Sequence, residues 1–176
     1  KMIMGIEIKL PIEELRKQGY KAFYIAIGCQ GGRKAGIPGE DAEGVMTAVD
    51  FLREVNDKEE YPIEGDVVVI GGGAVGLDVV EFFAPRGAEV SIVEMMPAIG
   101  RDLDPVTKND TKCMMEKYNV NQLTSTALQE VKEDCFVVKS PEGEVYELPF
   151  DHGFVCLGMR AQSTVYEEVS KAYKDT

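Results

Sequence analysis

The chain has 176 residues and a formal net charge of −12, from 19 basic and 31 acidic side chains. So acidic a balance excludes nucleic acid as a general partner, because the phosphate backbone would be repelled. No apolar run reaches membrane-spanning length and no signal peptide is evident, so no membrane partner is expected.

The length suits one sizeable core with an appendage. The cysteines Cys29, Cys113, Cys135 and Cys156 form no CxxC pair and no zinc-type spacing, so a reducing, cytoplasmic setting is expected. The sequence opens in strand-like residues and closes just after a helix-like segment, as a piece of a larger protein would.

In chain order, residues 3–9 alternate as a strand and residues 12–18 form a turn or two of helix behind Pro11. Residues 21–27 read as a buried strand ending at Gly28, and residues 29–41 as a glycine-rich irregular linker. Val45, Val49, Leu52 and Val55 stand at helical spacing, which predicts a helix over residues 45–55. A charged connector with Pro62 fills residues 58–65.

A strand over 67–70 leads to a helix over 74–86, with Pro85 near its end, and then to a strand over 90–94. Asp104 caps a helix with Pro105 at its first position, running to about Tyr118. Residues 127–132, 135–139 and 145–148 are short strand-like runs. The tight turns between them predict a three-stranded antiparallel meander. A buried strand over 154–157 ends at Gly158, and residues 164–173 form a terminal helix.

The stretch DVVVIGGGAVGLDVVEFFAPRGAEVSIVE, residues 66–94, carries the functional signal. A glycine-rich loop follows a buried strand and opens a helix, and a second strand ends in an acid. This is a dinucleotide-binding fingerprint in its full strand–helix–strand context. Gly71 allows the tight turn, Gly73 lets the backbone approach a pyrophosphate, and Gly76 lets the helix pack closely. Gly72, Ala74 and Val75 complete the loop and first turn, where free N–H groups and the helix dipole favour an anion. Glu94 lies about 20 residues on, where a carboxylate accepts hydrogen bonds from a ribose diol and repels a 2′-phosphate. NAD(H) is therefore expected over NADP(H). The plain alternative is a tight turn without a ligand.

Other candidates have plainer readings beside them. Asp78 could face a nicotinamide or flavin, or be an acid favoured by the helix dipole. Met95 and Met96 could floor an adenine or fill the core. Arg101 could approach a phosphate or pair with an acid. Asp102 and Asp104 read as helix-start residues rather than a metal site. His152 reads as an edge residue rather than a catalyst.

The ordered series YKAFYIAIG, GIPGEDAEGVMTAVDFL, the fingerprint, EMMPAIGRDLD and FDHGFVCLGMRAQST resembles the pyridine nucleotide–disulfide oxidoreductase superfamily over nearly the whole chain. The resemblance implies a Rossmann-like doubly wound parallel sheet with the antiparallel meander, an α/β domain that binds NAD(P)H within an FAD-binding domain. It implies cofactor contacts at Gly71, Gly73, Gly76, Glu94 and the backbone near Gly158. Asp78 stands where many members have Glu, which is similar to the dienoyl-CoA and enoate reductase branch. The linker resembles glutamate-synthase small-subunit-type reductases. The absence of CxxC between Gly28 and Gly71 argues against the thioredoxin-reductase branch. The usual RPNT segment here reads Arg160-Ala161-Gln162-Ser163.

The organisation implied is an FAD-type remnant, linker and helix over 1–60, an NAD(H)-binding domain over 61–160, and a helix over 161–176 leading back toward the FAD domain. The activity implied is presentation of NADH for hydride transfer to FAD in the parent flavoprotein, with the isolated chain inactive. A non-catalytic nucleotide-sensing or assembly module is the alternative, and a self-contained NAD dehydrogenase is a second. The rest of the parent flavoprotein is the expected partner, with a homodimer left open.

Overall fold

The computed structural model describes residues 12–26, 28, 32–42, 45–57, 61–159 and 163–173. In chain order the elements are α1 (Ile12–Lys17), β1 (Val45–Thr47), α2 (Ala48–Asp57), β2 (Asp66–Ile70), α3 (Ala74–Phe83) and β3 (Glu89–Val93). They continue with α4 (Pro105–Lys117), β4 (Asn121–Leu123), β5 (Ala127–Val131), β6 (Cys135–Lys139), β7 (Val145–Pro149), β8 (His152–Val155) and α5 (Thr164–Ala172).

Five strands form a parallel sheet in the order β1-β8-β2-β3-β4. β2 is central and buried on both faces, which explains its unbroken apolar run. Because side chains alternate along a strand, Val67 and Val69 point into one core with Val79, Val80 and Phe83 of α3, Phe51 of α2 and Met115 of α4. Val68 and Ile70 point into the other, against Phe136 and Val138 of β6 and Phe150. The α/β architecture expected from sequence is therefore present as three layers: helices, parallel sheet and the β5-β6-β7 antiparallel meander.

Several boundaries differ from expectation. Residues 21–26 form no strand, and Tyr24 and Ile25 are exposed. No strand among the described residues pairs with this segment, and an unpaired strand lacks partners for its backbone groups. The strand predicted at 3–9 lies outside the described residues.

Val45 belongs to β1, paired with Gly153 of β8, rather than to a helix. Thr47 starts α2 one residue later: its hydroxyl accepts from the Asp50 N–H at 3.3 Å and donates to the Asp50 carboxylate at 2.7 Å. β4 is a strand the sequence hid, because it is only three residues long, two of them the polar Asn121 and Gln122, and sits at the sheet edge. β8 begins at His152, ahead of the predicted 154. α3 gives way to a 3-10 turn at Ala84–Arg86 around Pro85, and Gly87 ends it in the left-handed region at φ +96°. The predicted Asp104 cap is present, its carboxylate accepting from the N–H groups of Val106 and Thr107 at 3.0 and 3.2 Å.

Candidate nucleotide-binding cleft

The carboxyl ends of β2 and β8 meet where the sheet order reverses, the position at which open α/β sheets form their ligand crevice. Gly71 leaves β2 at φ +108°, and its N–H donates to the Val93 carbonyl at 2.8 Å. A Cβ there would lie 2.3 Å from the Cys156 carbonyl oxygen. A Cβ on Gly76 would lie 1.9 Å from the Gly71 carbonyl oxygen, so α3 packs on the loop only because Gly76 has no side chain. These two glycines shape the site.

Gly73 behaves differently. It is the N-cap of α3, extended at φ −82° and ψ 179°, and a Cβ there would meet nothing within 4 Å. No side chain caps α3. The contrast with Asp104-capped α4 matters, since the first-turn amides of α3, at Ala74, Val75 and Gly76, carry the positive end of the helix dipole without a protein carboxylate on them.

Glu94 falls just beyond β3. Its N–H donates to the Leu123 carbonyl at 2.8 Å, and its own carbonyl accepts from Thr126 at 3.0 Å. Its half-buried carboxylate accepts from the Gly72 N–H at 2.6 Å and the Met96 N–H at 2.7 Å. These charge-assisted bonds fix the carboxylate while each oxygen keeps acceptor capacity for a further donor.

Gly72, Gly73, Glu94, Met96, Ala98, Arg101 and Asp102 together line a cleft of about 210 Å³. The loop after Glu94 is pinned to its floor, because Gly100 N–H donates to the Gly72 carbonyl at 2.7 Å and Ile99 is buried beside it. Four of the predicted residues thus converge: Gly72, Gly73, Glu94 and Arg101. Met96 lines the cleft, whereas Met95 is 68% exposed. Ala98 and Asp102 were missed as lining residues, and their only sequence signal was proximity to Arg101.

Asp78 sits elsewhere, in a hollow of about 300 Å³ between α3 and α4 that Ala74, Glu81 and Asp110 also line. Burial, and then the Glu81 carboxylate, hold its carboxyl above the usual range. Gly158 lies beyond β8 at φ +82°, and its carbonyl accepts from the Arg33 N–H at 2.9 Å, tying the linker to the sheet end. Residues 160–162 of the RPNT-like segment lie outside the described residues.

The remaining chemistry-bearing side chains look structural. Burial pushes the Cys156 thiol up to about 12. The His152 ring stacks on Phe83 at 5.8 Å, with Nε2 at 3.3 Å from the Glu64 carbonyl, at the opposite end of β8 from the cleft. Among the described residues no group of three or more His, Cys, Asp or Glu could hold a metal, and no helix is long and apolar enough to cross a membrane.

Known proteins are similar in sequence or share the fold. The chain is 36% identical over 107 residues to bilirubin reductase of Mediterraneibacter gnavus, covering 61% of this chain and 16% of that protein. It is 30% identical over 118 residues to NADH oxidase of Thermoanaerobacter brockii, covering 67% of this chain and 18% of that protein. The chain thus spans under a fifth of the length of these relatives. Among solved structures, a 2-naphthoyl-CoA reductase complex superposes with a TM-score of 0.69 at 23% identity, over 79% of this chain and 20% of that one. The family described as pyridine nucleotide-disulphide oxidoreductase matches residues 6–175, and the chain belongs to that family.

Proposed function

We propose that the chain is the NAD(H)-binding part of a flavin-dependent oxidoreductase. Residues 61–160 form the nucleotide domain, and residues 1–60 and 161–176 belong to an FAD-type domain and its connections. The observation that carries this reading is an uncapped helix N-terminus and an amide-anchored carboxylate in one cleft, at the carboxyl end of a parallel sheet.

Gly73 and the amides of Ala74, Val75 and Gly76 take the diphosphate. Glu94 accepts from the adenosine ribose hydroxyls, and its charge disfavours a 2′-phosphate, so NADH is preferred to NADPH. Met96, which lines the cleft, borders the adenine with Met95 next to it in the chain, while Asp78 and the backbone at Gly158 belong to the nicotinamide half. Bound NADH supplies a hydride to FAD in the parent protein. This chain's residues bind and orient, and none is required as an acid or base. A reducing, cytoplasmic setting suits the free thiols of Cys113, Cys135 and Cys156.

Titration calorimetry with NADH and NADPH tests the reading. The isolated chain is expected to bind NADH more tightly and to leave it unoxidised by soluble electron acceptors. Hydride transfer needs an acceptor held within about 3–3.5 Å in near-attack geometry. An absence of NADH binding, or rapid flavin-independent turnover, would overturn it.

A further inference from the structure

Methionine is ordinarily a buried residue that fills gaps in a core. Met115 follows that rule, and Met46 and Met114 pack partly buried against the same helix-side core. Met95 and Met96 do not. They stand side by side just beyond β3, 68% and 37% exposed.

Met96 is exposed in a fixed place. Its N–H is held by the Glu94 carboxylate at 2.7 Å, and its carbonyl accepts from the Ser125 N–H at 3.0 Å. Ser125 belongs to the turn after β4, and the next residue, Thr126, donates its N–H to the Glu94 carbonyl at 3.0 Å. Two segments thus pin the Met96 backbone, and its side chain lines the cleft with Gly72, Gly73 and Glu94.

A solvent-exposed thioether is open to two-electron oxidation. The sulfur lone pair attacks the outer oxygen of a hydroperoxide, the O–O bond breaks and an S–O bond forms. With hydrogen peroxide the leaving group departs as water. Sulfur is oxidised by two electrons and the peroxide is reduced by two. A polar, chiral sulfoxide replaces a flexible apolar chain. Its oxygen adds an acceptor to a cleft already lined by Glu94 and Asp102, and its sulfur no longer offers the soft contact that an aromatic ring takes.

We propose that Met96 is an oxidation-sensitive modification site, at which a hydroperoxide converts the thioether to the sulfoxide and reversibly weakens nucleotide binding. This rests on the nucleotide reading above, and adds to it a control of that cleft by oxidant.

The test treats the unaltered chain, M96L and the double variant M95L/M159L with hydrogen peroxide, then removes the peroxide. Peptide mass spectrometry maps the sulfoxides, and calorimetry measures NADH binding before and after. Exposed Cys113 meets the oxidant in all three proteins alike. Sulfoxide is expected at exposed Met95, Met96 and Met159 before Met46, Met114 and Met115. The oxidised unaltered chain is expected to bind NADH about three- to tenfold more weakly, and the double variant to lose as much. M96L is expected to lose less than about twofold from its own starting affinity, since the sulfur that matters is gone. Methionine sulfoxide reductases are expected to restore the affinity of the unaltered chain. Met96 left unoxidised while Met159 is fully converted overturns the proposal. So does a Met96 sulfoxide that leaves NADH affinity unchanged, an equal loss in M96L, or a loss that the reductases do not reverse. Failure of the untreated chain to bind NADH would overturn the nucleotide reading itself, and the control at Met96 with it.

Discussion

The Glu94 carboxylate and the Gly72 N–H are joined by a 2.6 Å hydrogen bond that ties the end of β3 to the middle of the glycine loop. The same carboxylate holds the Met96 N–H at 2.7 Å. One side chain therefore shapes the loop and offers its remaining acceptor sites to the cleft. On the nucleotide reading proposed above, ribose recognition and loop geometry are coupled through it.

Substitution of Glu94 should move both properties. Glu94→Arg is expected to shift preference from NADH toward NADPH by about 1–3 kcal/mol, as one repulsion is removed and one charge-assisted contact becomes available. It also strips the acceptor from two amides, so the melting temperature should fall. Glu94→Gln keeps only one acceptor oxygen for those two amides and is expected to weaken NADH binding without gaining NADPH. Equal affinities for the two nucleotides in the unaltered chain would count against this assignment.

Two glycines of one motif should fail in different ways. A Cβ on Gly73 meets open space at an ordinary extended φ. Gly73→Val is therefore expected to keep the fold, seen by circular dichroism, while NADH binding weakens at least tenfold. A Cβ on Gly76 lies 1.9 Å from the Gly71 carbonyl oxygen. Gly76→Ala should thus lower the melting temperature even without ligand, because the loop and helix must move apart. A folded Gly73→Val variant with unaltered affinity would show that the diphosphate lies elsewhere.

The parts of this fold that sequence reveals are those set by local pattern. The apolar run of β2, the Asp104–Pro105 start of α4 and the turns of the meander each follow from a few adjacent residues. What stayed hidden depends on partners distant in sequence. Val45 continues a helical spacing toward Val49 and Leu52, yet it pairs with Gly153 of β8. Phe51, fully buried, was not singled out, because its importance comes from stacking on Phe83 at 5.4 Å and meeting the Phe154 ring edge-on at 4.8 Å. In the cleft the glycines and Glu94 were legible from spacing. The pinning of the following loop through Gly100 was not, since it is a backbone bond to Gly72.

The cap of α4 makes stability sensitive to acid. The Thr107 hydroxyl first, and then the amides of Thr107 and Val106, hold the Asp104 carboxyl below its ordinary 3.8. A depressed value means the folded state favours the ionised form. The contribution is therefore complete above about 3.8 and fades as pH falls through the lower folded value. The melting-temperature difference between the unaltered chain and Asp104→Ala should be full at neutral pH and should narrow below that point. A difference that stays constant down through this range would show that the cap acts without its charge.

Alkali should act through Cys156. Its thiol is buried just beyond β8 in the core on the helix side of the sheet, with Ala48 and Leu77, and burial raises it from an ordinary 9.0 to about 12. The folded state therefore keeps the proton after the unfolded state has lost it. Stability is unaffected by this group below 9.0 and is lost as pH rises from there toward about 12, by up to about 1.4 kcal/mol per pH unit. Cys156→Ala should start less stable, having lost packing in the helix-side core, but should show a shallower decline across that window. Denaturant titrations of both proteins at intervals through the window compare the two slopes directly. Parallel slopes would mean that the thiolate is accommodated as readily in the fold as in the open chain, against the burial of Cys156 in the helix-side core.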